Sequence, residues 1–211
     1  KTIWGCIVAV FKLYSLYPDV VFAKGGYASF PTLFAARFLS IPVVVHVVYH
    51  DSSENISDAD IISQLDIVAA DYRRLNSDTI NTPAAFTSVA ADAEIEFCLA
   101  LQDPSGNSTN GITRTYTDSL TFAAGPGLGN SVKHNASGGI DAWDTQDYLN
   151  IWITNLSGAS GFASNPMSHG MPEDGIVMHY NMINGAHLLS HEIGHYLNMM
   201  HIYGSENPAC Q

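Results

Sequence analysis

Apolar and polar positions alternate along this chain with changing period, and the changes mark its elements. Residues Ile41 to Tyr49 are β-branched and nearly continuous, which predicts a buried strand. Between Ile56 and Leu75 the apolar positions are Ile61, Ile62, Leu65, Val68, Ala69 and Tyr72. That spacing follows one face of a long amphipathic helix, with Ser57 placed to cap it. Glu94 to Ala100 alternates as a strand should, and Tyr148 to Asn155 and the shorter Gly175 to His179 also read as strands. A second helix is predicted from about Ala186 to Leu197. The stretches Asp103–Asn110, Thr121–Gly139 and Ser157–Pro172 are rich in Gly, Pro, Asn and Ser and read as loops. At the N-terminal end, residues 1–16 read as a short amphipathic helix that Pro18 breaks. A brief strand at Val20–Ala23, a turn at Gly25-Gly26 and a helix from Pro31 to about Leu39 follow.

The chain has 211 residues, 46% of them hydrophobic and only 13% charged, which supports a packed interior in spite of the low charge. The formal net charge of −12 is unevenly spread. Residues 1–46 carry four basic residues against Asp19 alone, whereas residues 47–211 carry four basic residues against 19 acids. So acidic a body repels phosphate backbones and argues against nucleic acid as a partner. No apolar run reaches the ~18 residues of a membrane-spanning helix. Cys6, Cys98 and Cys210 are far apart and form no zinc-ribbon spacing, and their pairing is left open.

The strongest chemical signal is His191-Glu192-Ile193-Gly194-His195. Two histidines four residues apart on a helix share one face, so their imidazoles can converge on one ion. Zinc held by three protein ligands keeps a fourth position open and lowers the pKa of water there to about 7. Glu192, next to the first ligand, can take that water's proton and pass it to a leaving amine, which is the chemistry of peptide hydrolysis. His201 is available as third ligand. A helix continued through residue 201 would turn it away, because six residues past His195 is about 240° round the axis. The helix is therefore expected to stop near Asn198, a residue type that tolerates the left-handed conformation of a helix end. His46, His50, His134, His169, His179 and His187 occur singly and read as satisfied or solvated histidines.

HEIGHYLNMMH (191–201) resembles the extended zinc signature H-E-x-x-H-x-x-G-x-x-H of the metzincin metalloproteases, with Asn198 in place of the glycine. IPVVVHVVYH (41–50), ISDADIISQLDIVAADYRRLNSD (56–78), IEFCLALQDPSGNSTNGITR (95–114), GIDAWDTQDYLNIWITNL (139–156) and DGIVMHY (174–180) are similar to one branch, the secreted pappalysin-like proteases. The resemblance implies an α/β (α+β) fold, a metzincin-like mixed sheet with a backing helix and a zinc-binding active-site helix, over residues 41–211. It implies that His191, His195 and His201 bind Zn2+, that Glu192 is the general base, and that the substrate is a protein or peptide. It also implies that Gly175, Ile176, Val177 and Met178 form the edge strand to which an extended substrate adds. Metzincins carry a methionine turn downstream of the third histidine, and no methionine follows His201 here. The C-terminal subdomain is accordingly expected to be missing from this sequence. Structural calcium in the full-length protein is implied largely through that part, whereas Asp141, Asp144 and Asp147 read as solvated loop and cap carboxylates.

YPDVVFAKGGYASFPTLFAARFLSIPVVVH (17–46) resembles a different family, the N-domain of the transferase that adds N-acetylglucosamine to the lipid-linked peptidoglycan precursor. Residues 1–40 are expected to be a separate, glycosyltransferase-like or foreign segment, with 41–211 the catalytic domain. The two resemblances overlap at IPVVVH (41–46). Three readings stay open: a zinc endopeptidase, a zinc-binding fragment without catalysis, and a glycosyltransferase fragment, although no second nucleotide-binding domain is present.

Overall fold

The computed structural model describes residues 42–124, 130–183 and 187–201. The chain divides between Ile41 and Pro42, and every described residue belongs to the second unit. The helices, strand and Gly25-Gly26 turn expected within residues 1–40 lie outside the described residues.

The β-branched run forms strand β1 (Val43–Tyr49), buried along all but its last residue. Strand β4 (Leu149–Thr154) is buried throughout. The two pair in parallel, with Val43 opposite Leu149 and His46 opposite Trp152. Strand β2 (Ile112–Tyr116) pairs in parallel on the other side of β1, and β7 (Ile176–His179) in parallel on the other side of β4. A short strand, β6 (Gly161–Ala163), runs antiparallel to β7 and closes the order β2-β1-β4-β7-β6. The fold is thus the expected mixed, mainly parallel α/β sheet. Two further short strands, β3 (Phe122–Ala123) and β5 (Leu156–Ser157), pair with each other.

Period-two alternation gives the sheet two apolar faces. Val48, Trp152 and Val177 share one face and cluster with Phe122, Val132 and Leu156. Each such fully buried side chain contributes about 1.5–3 kcal/mol. Val45, Ile151, Ile153, Ile176 and Met178 fall on the opposite face. There helix α2 (Leu188–Tyr196) packs on β6 and β7. Helix α1 (Asp58–Tyr72) packs in turn on α2. Ser57 caps α1 as predicted, its hydroxyl accepting from Asp60 N at 3.2 Å. Ile61, Gln64, Leu65 and Val68 make the buried face, and Ile62 is half exposed.

Two expectations are corrected. Glu94–Leu99 does alternate in burial, with Ile95, Phe97 and Leu99 half-buried and Glu94, Glu96 and Cys98 exposed, and Ala100 is buried. The segment meets β1 only at Val43, through Val43 N to Cys98 O and Ala100 N to Val43 O, both 2.8 Å. From Val45 onward that side of β1 is occupied by Gly111 and then β2, so no ladder is left for the earlier segment. The other correction concerns the loops: β6 and the short β3 each lie inside a stretch read as loop.

Candidate active site

Helix α2 carries His191, Glu192 and His195, and the last turn of α1 holds its first turn. Asp71 Oδ2 accepts from Ser190 Oγ and contacts His187 Nδ1 at 2.8 Å. The Tyr72 hydroxyl donates to Ser190 O at 3.1 Å. Burial, and then the neighbouring Asp71 carboxylate, push the Tyr72 phenol up to about 12, so it stays a donor. Ile193, Leu189 and Gly194 face inward on α2.

The helix ends where the spacing argument requires. Leu197 is the C-cap, and Asn198 takes φ 70°, the left-handed conformation. Asn198 N bonds His195 O at 2.9 Å and Met199 N bonds Gly194 O at 2.8 Å, the two hydrogen bonds of a Schellman motif. The turn does two things for the site. It reverses the chain so that His201 comes back to the helix, and it presents Met199 O to His195 Nδ1 at 2.8 Å. That carbonyl can only accept, so His195 carries its proton on Nδ1 and directs the Nε2 lone pair into the site.

Three Nε2 atoms meet there. His191 and His195 are 2.9 Å apart, His195 and His201 3.0 Å, and His191 and His201 3.2 Å. Tetrahedral zinc with Zn–N of ~2.0–2.1 Å separates its nitrogens by about 3.3 Å. Imidazole lone pairs converging this closely repel one another unless a cation lies between them, so the donor set and its geometry fit zinc. It is the one metal-ligating cluster among the described residues. Partial burial and the neighbouring rings of His195 and His201 lower the His191 pKa, favouring the neutral form that binds metal.

Glu192 is 5% exposed. Burial raises its carboxyl above the usual range, and the His195 ring works in the opposite direction. A carboxyl raised by desolvation is a better proton acceptor.

The placement of the substrate strand needs correction. Gly175, Ile176, Val177 and Met178 are not at the sheet edge. Residues 176–178 are fully buried between β4 and β6, with their ladder groups engaged on both sides. Gly175 is required by packing, since a Cβ there would lie 2.3 Å from Asn150 O, at φ 134°. The edge is β6, which has no strand beyond it among the described residues.

Residues outside the motif also shape this edge. Lys133 is 1% exposed, and its Nζ donates to Glu173 O at 2.5 Å while lying over the rings of Trp152 and Phe162. Burial holds its pKa down to about 8. Asp174, also buried, accepts from Ser164 Oγ, which in turn accepts from Gly175 N at 2.8 Å. These contacts tie β6 to the start of β7. Lys133 sits in a Gly-rich stretch with no periodicity, so no sequence signal set it apart from a solvated lysine. Of the single histidines, His50 contacts Thr117 O at 2.9 Å and His46 is buried and hydrogen-bonded, as their reading as satisfied residues expected.

Residues 134–211 match a family model described as pregnancy-associated plasma protein-A, of the M43 peptidases. The solved structure of mirolysin in complex with compound 9 is similar at TM-score 0.76 and 44% identity, over 82% of this chain and 68% of that one. Tannerella forsythia mature mirolysin in complex with a cleaved peptide gives TM-score 0.74 and 44% identity, over 80% of this chain and 66% of that one. Among curated proteins, a UDP-N-acetylglucosamine–N-acetylmuramyl-(pentapeptide) pyrophosphoryl-undecaprenol N-acetylglucosamine transferase from a Wolbachia of Brugia malayi is 50% identical over 44 residues. That match covers 21% of this chain and 13% of the transferase. The likeness to the transferase is thus confined to a short stretch, whereas the chain spans about two thirds of the mirolysin chains.

Proposed function

This chain belongs to the pregnancy-associated plasma protein-A family of M43 metallopeptidases, and from that premise we propose that it is a zinc-dependent endopeptidase acting on proteins or peptides. The observation that carries the reading is the convergence of the His191, His195 and His201 Nε2 atoms within 3.2 Å of one another. These three would hold zinc, which when bound polarises the scissile carbonyl and acidifies water. Glu192 accepts the proton of the attacking water and delivers it to the leaving amine. Its burial raises the proton affinity of the carboxylate above that of a solvated glutamate. The free edge of β6 would pair with an extended substrate and hold its backbone across the site, by ordinary strand addition. Mature mirolysin, solved with a cleaved peptide, supports this substrate class.

Secretion, structural calcium in the longer protein, and the reading of residues 1–40 as a separate segment are further parts of this proposal, all by resemblance. No helix among the described residues is long and apolar enough to cross a membrane. A second reading is favoured by Met199 and Met200, 56% and 72% exposed beside the histidines. In that reading this chain holds zinc and cleaves nothing unaided. The test is cleavage of a quenched peptide library by zinc-loaded chain, with Glu192→Ala in parallel. Cleavage that chelator and Glu192→Ala both abolish is expected. Equal zinc uptake with no cleavage by the unsubstituted chain supports the second reading, and cleavage that survives Glu192→Ala removes Glu192 from its role.

A further inference from the structure

We propose that Gly161 is a positioning residue for Glu192: the absence of a side chain on the edge strand leaves the room in which the Glu192 side chain is seated. The inference rests on the peptidase reading and adds a residue outside the zinc motif. Among the described residues no group donates a hydrogen bond to the Glu192 carboxylate. Its place is therefore set by the helix backbone and by what packs against its methylenes. Gly161, on β6, is one of those neighbours. A Cβ built on it would lie 3.3 Å from Glu192 Cγ, 2.9 Å from Met178 Sδ and 3.2 Å from Val177 O. The backbone of Gly161 is outside the left-handed region, so torsion does not demand glycine here and the close approach does.

The strand cannot swing away to admit a larger residue. Gly161, Phe162 and Ala163 pair with Met178, Val177 and Ile176. Flanking bonds from His179 N to Ser160 O at 2.9 Å and from Ser164 N to Gly175 O at 3.0 Å hold both ends. Phe162 is fixed on the opposite face, against the Trp152 and Val177 cluster and under Lys133 Nζ at 5.4 Å. With the strand held, a methyl group at position 161 is accommodated by Met178, whose thioether end is flexible, and by Glu192. The Cβ direction lies toward the sheet face and α2, not toward the free edge, so pairing of a substrate strand is left intact. Displacing a reacting group by 1 Å costs about a hundredfold in rate, and a few tenths of an ångström cost about three- to tenfold.

The test compares the zinc-loaded chain with Gly161→Ala and Gly161→Ser. Expected are kcat values lowered about five- to tenfold for alanine and further for serine, a KM within about twofold, and unchanged zinc affinity in competition with a chelating dye. The double variant Gly161→Ala/Met178→Val, which removes the sulfur contact and protects folding, is expected to keep the kcat loss. A crystal structure of zinc-loaded Gly161→Ala is expected to keep β6 in place and move the Glu192 carboxylate. A Glu192 that superposes on the original, a displaced β6, or a raised KM with unchanged kcat would overturn the proposal. The crystallographic arm decides the matter even if the unsubstituted chain cleaves no peptide, a result that would instead count against the peptidase reading.

Discussion

His46 and the three histidines around α2 are the same residue type in opposite settings. His46 lies in mid-sheet with no exposed surface, Nδ1 at 2.7 Å from Thr113 Oγ1 and Nε2 at 3.0 Å from Asn150 Oδ1. Asn150 donates from Nδ2 to Trp143 O and Tyr148 O, which fixes Oδ1 as the acceptor. His46 Nε2 therefore donates, and Nδ1 accepts from the Thr113 hydroxyl. Burial drives its pKa down to about 4, with the Asn150 hydrogen bond opposing. Every polar atom of that ring is paired within the protein. In the other region His195 is paired on its outer nitrogen by Met199 O, and the Nε2 atoms of His191, His195 and His201 converge within 3.2 Å of one another. A structural histidine is one whose nitrogens are satisfied by the chain, whereas the three converging nitrogens are placed as the ligands of one cation would be.

The comparison breaks most sharply if one of the three converging histidines is removed. His195→Ala is expected to weaken zinc binding at least a thousandfold and abolish cleavage, while the metal-free chain melts close to its original temperature. Titration with a zinc-sensitive dye and differential scanning calorimetry check both. Next in size is Glu192→Gln, expected to lower kcat by about 10²–10⁴-fold with zinc stoichiometry unchanged, read from steady-state kinetics and metal analysis. His46→Phe should do the reverse. It is expected to cost about 3 kcal/mol in urea unfolding and to leave zinc affinity within about twofold, because it strips partners from half-buried Thr113 and buried Asn150.

The same residue predicts a pH dependence with a definite sign. The folded pKa of about 4 lies below the unfolded value of 6.5. Between these values the unfolded chain binds the proton and the folded chain does not. Stability is therefore full above pH 6.5 and falls by up to about 3 kcal/mol as pH drops toward 4. Urea melts at pH 7 and 5 should show about 2 kcal/mol of that loss, and His46→Phe should flatten it. The smallest effect belongs to the helix stop. Asn198→Gly is expected to be neutral within about 1 kcal/mol, whereas Asn198→Val should cost about 1–2 kcal/mol and weaken zinc about tenfold by loosening the turn that orients His195 and returns His201.

What could be read in advance was local. The histidine spacing and the stop at Asn198 depend on helix geometry alone, so residues 191–201 could be placed without the rest of the molecule. The β1 and β4 runs were legible because central parallel strands are apolar on both faces. The edge was not. Gly161-Phe162-Ala163 has too few residues to show a period, and its strand character comes from β7. The alternation of Glu94–Ala100 was real, but neighbour choice in a sheet is non-local, and β2 occupies the place that the pattern suggested. Helix α1 also ends at a left-handed residue, Arg74 at φ 52°, with Leu75 N bonding Ala70 O at 2.7 Å. An arginine carries no such signal, and the helix accordingly stops before the predicted Leu75.

The most direct test of the distinction between these histidines is X-ray absorption at the zinc edge on the metal-loaded chain. One zinc per chain is expected, with three imidazole nitrogens at about 2.0–2.1 Å, a signature lost in His195→Ala and kept in His46→Phe. Absence of zinc uptake, or an unchanged zinc environment in His195→Ala, would contradict it.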